Sequence, residues 1–298
     1  MSGDGDNLRG ALCISASMAG FAVNDAIMKL VFRDVPLFQA ILIRGLFACV
    51  LIGTIAWWFG ALRSPSQLHA LRHRTVALRT LGEAGATVFF LSALVAMPLA
   101  NATAVLQAVP LTITMGAALL LGERVGWRRW LAILVGLAGV LLIVQPGLGG
   151  FVAGSGYALA AVAAITLRDL VTRRMPETVP PLLVSLLTAV TITAGGAVGT
   201  VLGPSVALSG GQVAAMAFAS VFMAAGYIFS VYAMRFGEVS FVTPFRYSVL
   251  LWASLLGWLV FREVPNALAL VGTAVVVASG LYTFMRERSL RKAAIASA

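Results

Sequence analysis

The sequence predicts an all-α integral membrane protein whose ten transmembrane helices form two inverted five-helix repeats. Three observations lead there: the composition, the spacing of the apolar runs, and motifs that return at a fixed shift. Of 298 residues, 60% are apolar and 11% charged, and the mean hydropathy is +0.97. An ordinary soluble domain is about 45–50% apolar and about 25% charged. This chain lacks the polar residues to cover a water-facing surface, which argues against a soluble enzyme, a disordered chain, a coiled coil or a disulfide scaffold. A crossing takes about 20 apolar residues plus a connection, so 298 residues divided by roughly 28–30 gives about ten.

Apolar runs punctuated by Gly, Pro and charge place the spans at 8–32, 36–60, 77–97, 99–121, 127–145, 153–174, 179–202, 211–235, 238–261 and 265–285. Pro36, Pro180 and Pro265 fall at helix starts, where a missing N–H costs nothing. No small-residue cleavage signal follows the first run, so span one is expected to be retained. No long polar insertion adds a soluble domain.

The formal charge of +10 would suggest nucleic acid in a soluble chain; here its distribution points to membrane orientation instead. With the N-terminus on side one, that side carries Arg9, Arg63, Arg72, Arg74, Arg79, Arg124, Arg128, Arg129, Arg173, Arg174, Arg235, Arg286, Arg288, Arg291 and Lys292, fifteen in all. Side two carries Lys29, Arg33 and Arg262, and Arg44, Arg168 and Arg246 lie within spans. Cytoplasmic loops hold the basic excess, so the expectation is a multi-pass protein of the cell (inner) membrane with both termini cytoplasmic. Lipid, rather than nucleic acid, is the large partner.

The chain then repeats itself. Glu123 returns as Glu263 at a shift of 140, and Asp25 with Lys29 returns as Asp169 with Arg173 at 144. Val35-Pro36 is echoed by Val179-Pro180. A repeat of five spans is odd, so the second copy inserts upside down, with repeats expected at 1–147 and 148–298. Inverted repeats of this kind are typical of secondary transporters, whose sites lie at the midplane between halves.

The residues here resemble a known family. LeuLeuLeuGlyGluArgVal at 119–125 and LeuValPheArgGluVal at 259–264, each closing four spans before a glycine-rich fifth, are similar to the drug/metabolite transporter superfamily of EamA type. Arg262 departs from the pattern, standing where Gly is usual. The resemblance implies a carrier with a central cavity lined by spans one to four and six to nine, spans five and ten being peripheral.

A charge inside hydrocarbon needs a partner, water or a function. Asp25 and Arg44 fall at one depth in neighbouring spans, with Asn24 and Gln107 at similar height. They read either as a structural ion pair or as a polar wall in which Arg44 takes a substrate carboxylate bidentately. On the opposite half, Glu83 pairs with Arg79 four residues away, or with Arg246 as an inner gate or proton site. Arg168 and Asp169 are expected to snorkel to the interface. Thr103, Gln107, Pro110 and Thr114 follow i, i+4, i+7, i+11, and the shift of 140 gives Thr243, Tyr247, Leu250 and Ser254, with Arg246 alongside. The same shift sets Glu83 against Met223, near Tyr227. These stripes nominate Asn24, Asp25, Arg44, Glu83, Thr103, Gln107, Tyr227, Thr243, Arg246 and Tyr247 as substrate-binding.

Other features read as structural. Cys13 and Cys49 lie in apolar runs and suit buried thiols. Gly195, Gly199 and Gly203 form GxxxG steps for packing within the monomer or, less favoured, a weak homodimer seam. His69 and His73 lack a third ligand and belong to a solvated basic loop. No phosphate-binding loop, nucleophile–base set or metal set is visible, so neither an enzyme nor a cofactor is expected. The inverted repeat argues against a channel. The function expected is a secondary active carrier of a small metabolite, with a proton as the possible coupling ion. Amino-acid or related metabolite export is the first reading, and uptake of a riboflavin- or S-adenosylmethionine-like compound the alternative.

Overall fold

The computed structural model describes residues 4–63, 69–123, 125–146, 153–176, 179–236 and 239–296. The expected repeat boundary at 147/148 and the motif residue Arg124 lie outside them. Ten helices are long and apolar enough to cross a membrane, and no strand occurs among the described residues. They are α1 Asp4–Val31, α2 Leu37–Trp58, α3 Arg74–Ala96, α4 Leu99–Leu121, α5 Trp127–Val144, α6 Ala153–Thr172, α7 Pro181–Leu202, α8 Gly210–Phe236, α9 Thr243–Phe261 and α10 Ala267–Ala296. Pro36 and Pro180 cap α2 and α7. His73 caps α3, its Nδ1 accepting from the Thr75 N–H at 3.3 Å.

Each helix packs chiefly on one from the other repeat: α1 on α8, α6 on α3, α2 on α7 and α5 on α10. Glycines make these crossings close. A methyl on Gly20 of α1 would stand 2.9 Å from the Phe222 carbonyl and 3.3 Å from Gly226 N of α8. A methyl on Gly82 of α3 would stand 3.1 Å from Arg168 Cβ and 3.3 Å from the Ala164 carbonyl of α6. Gly20 and Ala164 differ by 144, as do Gly82 and Gly226, so the crossings are copies. Where α2 and α7 cross, Cys49 Sγ meets Thr193 Oγ1 at 3.4 Å, and these two also differ by 144. Both cysteines are free thiols. Of the expected glycine seam on α7, Gly199 packs against α2, while Gly196 takes the place of Gly195. Gly195 faces open space, while Gly196 lies against the α2 backbone and Gly199 beneath Phe38.

Helices α4 and α9 are broken at equivalent places. Pro110 has no N–H to give Leu106, and the chain tightens there, Gln107 N–H donating to Ala104 O and Ala108 N–H to Val105 O, both at 3.1 Å. Helix α4 thus runs as Leu99–Leu106 and Val109–Leu121. In α9, Pro244 sits in a 3₁₀ segment, Thr243–Tyr247, ahead of α-helical Ser248–Leu256 and a wide turn at Gly257–Phe261. Both end alike: Glu123 N–H donates to Ala117 O at 3.2 Å and Glu263 N–H to Gly257 O at 3.0 Å. Both turns need a left-handed residue, supplied by Gly122 (φ 71°) in the first and by Arg262 (φ 58°) in the second.

These breaks let each helix approach its mate on one side only. The first half of α4 is almost wholly buried and packs against Ser248–Leu256 of α9 at side two. At side one, Val109–Leu121 buries only Leu111, Gly116 and Ala117, and Thr243–Tyr247 buries nothing. No comparable packing joins those two segments. The bundle therefore converges at side two and parts at side one.

Candidate functional site

The helix crossings bring polar side chains of both repeats to the middle of the bundle. Gly82 admits α6 so closely that Glu83, the next residue, reaches Arg168. Arg168 Nη1 donates to Glu83 Oε2 and Arg168 Nε to Asp169 Oδ1, both at 2.7 Å. Across the bundle, Gly226 admits α1, and Ser17 Oγ donates to the Gly226 carbonyl at 2.6 Å. Tyr227 follows, its ring edge-on to Phe21 at 5.2 Å between centroids. On the facing helix Asn24 Nδ2 donates to Asp25 Oδ1 at 2.8 Å. At the shift of 144 Glu83 matches Tyr227, Arg168 matches Asn24 and Asp169 matches Asp25. One crossing between the repeats carries an ion-pair triad where its copy carries a tyrosine, an amide and a carboxylate.

Two further arginines enter this space. Arg44 of α2 lies within electrostatic reach of Asp25 and Tyr227. Arg246 of α9 lies within reach of Asp169 and Arg168. Neither guanidinium has an ion pair within 4 Å or a hydrogen bond among the described residues. Tyr227 senses Glu83, Arg168, Arg44 and Arg79, so it sits between the two groups. Thr188, the equivalent of Arg44 in α7, accepts from Arg79 Nη1 at 3.3 Å. Chemically, the arrangement offers guanidinium donors, a free carboxylate edge and an aromatic ring, with nothing resembling a nucleophile and its base.

Several expectations change. Asp25 and Arg44 are neighbours in field but not a direct pair. Glu83 pairs with neither Arg79 nor Arg246, because the Gly82 crossing turns it onto Arg168. Arg168 and Asp169 do not snorkel for the same reason. The register of α3 and α8 is 144, so Glu83 is equivalent to Tyr227 rather than Met223. Thr103 is buried and its hydroxyl donates to its own helix at Leu99 O, 2.9 Å away. The Tyr247 hydroxyl is seated against Gly280 of α10, on the peripheral pair of helices. Gln107 stands half-buried at the α4 break, and Thr243 opens the 3₁₀ segment of α9. The breaks interrupt the helical phase, so one continuous stripe does not form.

A second constellation was not anticipated. At side two, Lys29 Nζ lies 2.7 Å from Glu263 Oε1 and donates to Met97 O at 2.6 Å. Glu263 Oε2 accepts the Leu99 N–H at 3.0 Å, and the Phe261 ring faces both Lys29 and Arg33. At side one, Arg173 Nη1 meets Glu123 Oε1 at 3.1 Å. Lys29 and Arg173 are equivalent, as are Glu123 and Glu263, so the pairs are mates. They differ in depth: Lys29 is 11% exposed and Glu263 25%, against 49% and 52% for Arg173 and Glu123. The echo of both motifs in the sequence carried the signal, since each joins a cation from one repeat to an acid from the other.

Comparisons with known proteins agree with this architecture. A model of the EamA-like transporter family matches twice, at residues 8–145 and 152–285. A riboflavin transporter of Rhizobium johnstonii is 30% identical over 228 residues, 72% of this chain and 70% of that protein. An S-adenosylmethionine uptake transporter of Rickettsia prowazekii is 20% identical over 94% of both chains. A pseudopaline exporter of Pseudomonas aeruginosa is 26% identical over 89% of this chain and 92% of its own. A solved crystal structure shares the fold at a TM-score of 0.63 and 21% identity, covering 92% of this chain and 96% of that one. Ten membrane-crossing helices in two inverted halves, each half matched by the same family model, make this chain a multi-pass membrane protein that belongs to the EamA-like transporter family.

Proposed function

We propose that the chain is a secondary carrier of the cell (inner) membrane, termini cytoplasmic, moving a small organic metabolite by alternating access. The observation that carries this reading is the matched pair of polar groups at the repeat interface. Glu83–Arg168–Asp169 faces Tyr227, Asn24 and Asp25, with Arg44 and Arg246 lacking direct partners among the described residues. Sites of this class lie at the midplane between inverted halves. Substrate recognition is assigned to Asp25, Arg44, Tyr227, Glu83, Arg168 and Arg246, with Asn24 and Gln107 in support, while Thr103 and Tyr247 serve packing. Convergence at side two and parting at side one describe a carrier facing the cytoplasm. One chain supplies both repeats, so a monomer completes the site.

For the substrate, a cofactor-like compound of riboflavin or S-adenosylmethionine type takes precedence. Tyr227 with Phe21 offers a ring edge beside Arg44 and Asp25, and two of the relatives named above carry such compounds. Amino-acid or related zwitterion export is the second reading, favoured by charges of both signs within one group. If a proton is coupled, Asp25 carries it: protonating Glu83 would break its pair with Arg168, whereas protonating Asp25 breaks no ion pair within 4 Å among the described residues. Proteoliposome counterflow with riboflavin, S-adenosylmethionine and amino acids, with and without a pH gradient, tests the whole reading. Saturable exchange of one compound supports it; ohmic conductance, or no flux of any, overturns it.

A further inference from the structure

Three arginines converge on a pocket of about 300 Å³ at side one, between the start of α5 and the end of the membrane-crossing part of α10. It is lined by Gly126, Trp127, Arg128, Arg129 and Arg286. Arg129 Nε is buried there without a hydrogen-bond partner. Arg128 stands over the Trp127 ring at 5.4 Å, and Trp127 is itself exposed. None of the three arginines has an ion pair among the described residues. Gly126 gives α5 no side-chain cap, so the helix adds free N–H groups and the positive end of its dipole. Guanidinium forks and a helix start suit a phosphate.

The surroundings decide which phosphate. Leu131, Leu134 and Val135 of α5, with Tyr282 and Met285 of α10, are exposed apolar side chains leading from the pocket into the membrane. Tryptophan at this level marks the headgroup region. We propose that this pocket, on helices outside the central cavity, binds the phosphate of an anionic phospholipid whose acyl chains lie along that α5–α10 surface. Its arginines thus hold a structural lipid as well as contributing to orientation.

The test uses the full-length protein in nanodiscs of phosphatidylcholine with and without a minority of phosphatidylglycerol, followed by native mass spectrometry and thermal unfolding. The wild type is expected to retain phosphatidylglycerol through detergent washing and to unfold later when it is present. The variant Arg129→Gln/Arg286→Gln should lose that lipid about tenfold or more readily. The control Arg9→Gln/Arg74→Gln removes equal charge from the same side and should retain it. Equal retention by all three proteins overturns the proposal, as does equal retention of phosphatidylcholine or displacement by inorganic phosphate at matched concentration. If the double variant does not fold, Arg286→Gln alone must show the reduced retention.

Discussion

Lys29 Nζ lies 2.7 Å from Glu263 Oε1, joining the end of the first helix of one repeat to the turn after the fourth helix of the other. The same carboxylate takes the Leu99 N–H through its second oxygen, and the same ammonium takes the Met97 carbonyl. Three chain segments, the end of α1, the α3–α4 turn and the turn after α9, therefore meet at side two through two side chains. Breaking one partner of a half-buried, fully hydrogen-bonded pair costs about 2–3 kcal/mol. Lys29→Met is expected to lower the thermal midpoint in detergent and to expose side two to a membrane-impermeant thiol reagent aimed at an introduced cysteine. An unchanged midpoint with no new labelling would rule out a sealing role.

Its mate at side one should behave differently. Arg173 and Glu123 are about half exposed, and such pairs are worth about 0–1 kcal/mol. Glu123→Gln is expected to leave stability nearly unchanged while slowing transport, if the pair buries when the carrier faces outward. Transport at the wild-type rate would show that the pair never takes that role.

Arg262 occupies a left-handed turn that its equivalent, Gly122, occupies without strain. An L-residue there costs roughly 1–2 kcal/mol. Arg262→Gly should therefore raise the thermal midpoint, and Gly122→Ala should lower it. The opposite ordering in thermal unfolding would mean that the Arg262 side chain holds the turn by other means.

Because Arg44 has no direct ion pair among the described residues, removing it should not unfold the bundle. Arg44→Ala is expected to keep a wild-type thermal midpoint and lose saturable uptake. A collapsed midpoint instead would reassign Arg44 to structure.

The two central carboxylates give a separable prediction. Asp25→Asn should retain counterflow but lose accumulation driven by a pH gradient. Glu83→Gln should weaken exchange itself, since it loosens Arg168. Loss of pH-driven accumulation in Glu83→Gln alone, with counterflow intact, would transfer the coupling role to Glu83.

Ten spans and their inversion are readable because hydropathy, basic side bias and widely spaced motifs survive in one dimension, while the peripheral place of α5 and α10 comes only from the family resemblance. The partners of the buried charges are not readable. Glu83, Arg79, Arg168 and Arg246 occupy comparable depths, and depth does not say which way a helix is turned. That rotation is set by Gly82 against α6 and Gly226 against α1, where absent side chains let backbones touch. The repeat register also changes within each half, from 144 in the first three helices to 140 at the ends of α4 and α9. Extending 140 backward sets Glu83 against the wrong residue. The break ahead of Pro110 also takes Thr103 and Thr114 out of a common helical phase.

Cys49 and Thr193 meet at 3.4 Å while being copies of one another, so their contact lies on the axis that exchanges the repeats. When a carrier of this design swaps the conformations of its halves, contacts away from this axis are traded for their mates, but this one maps onto itself. Under the alternating access proposed above, it is a place where the separation need not change as the halves move. A five-helix ancestor meeting its own inverted copy would have presented one and the same side chain to itself there. Only shapes that fit against a half-turned copy of themselves could then be selected at that point, and a small thiol against a small hydroxyl keeps to that rule.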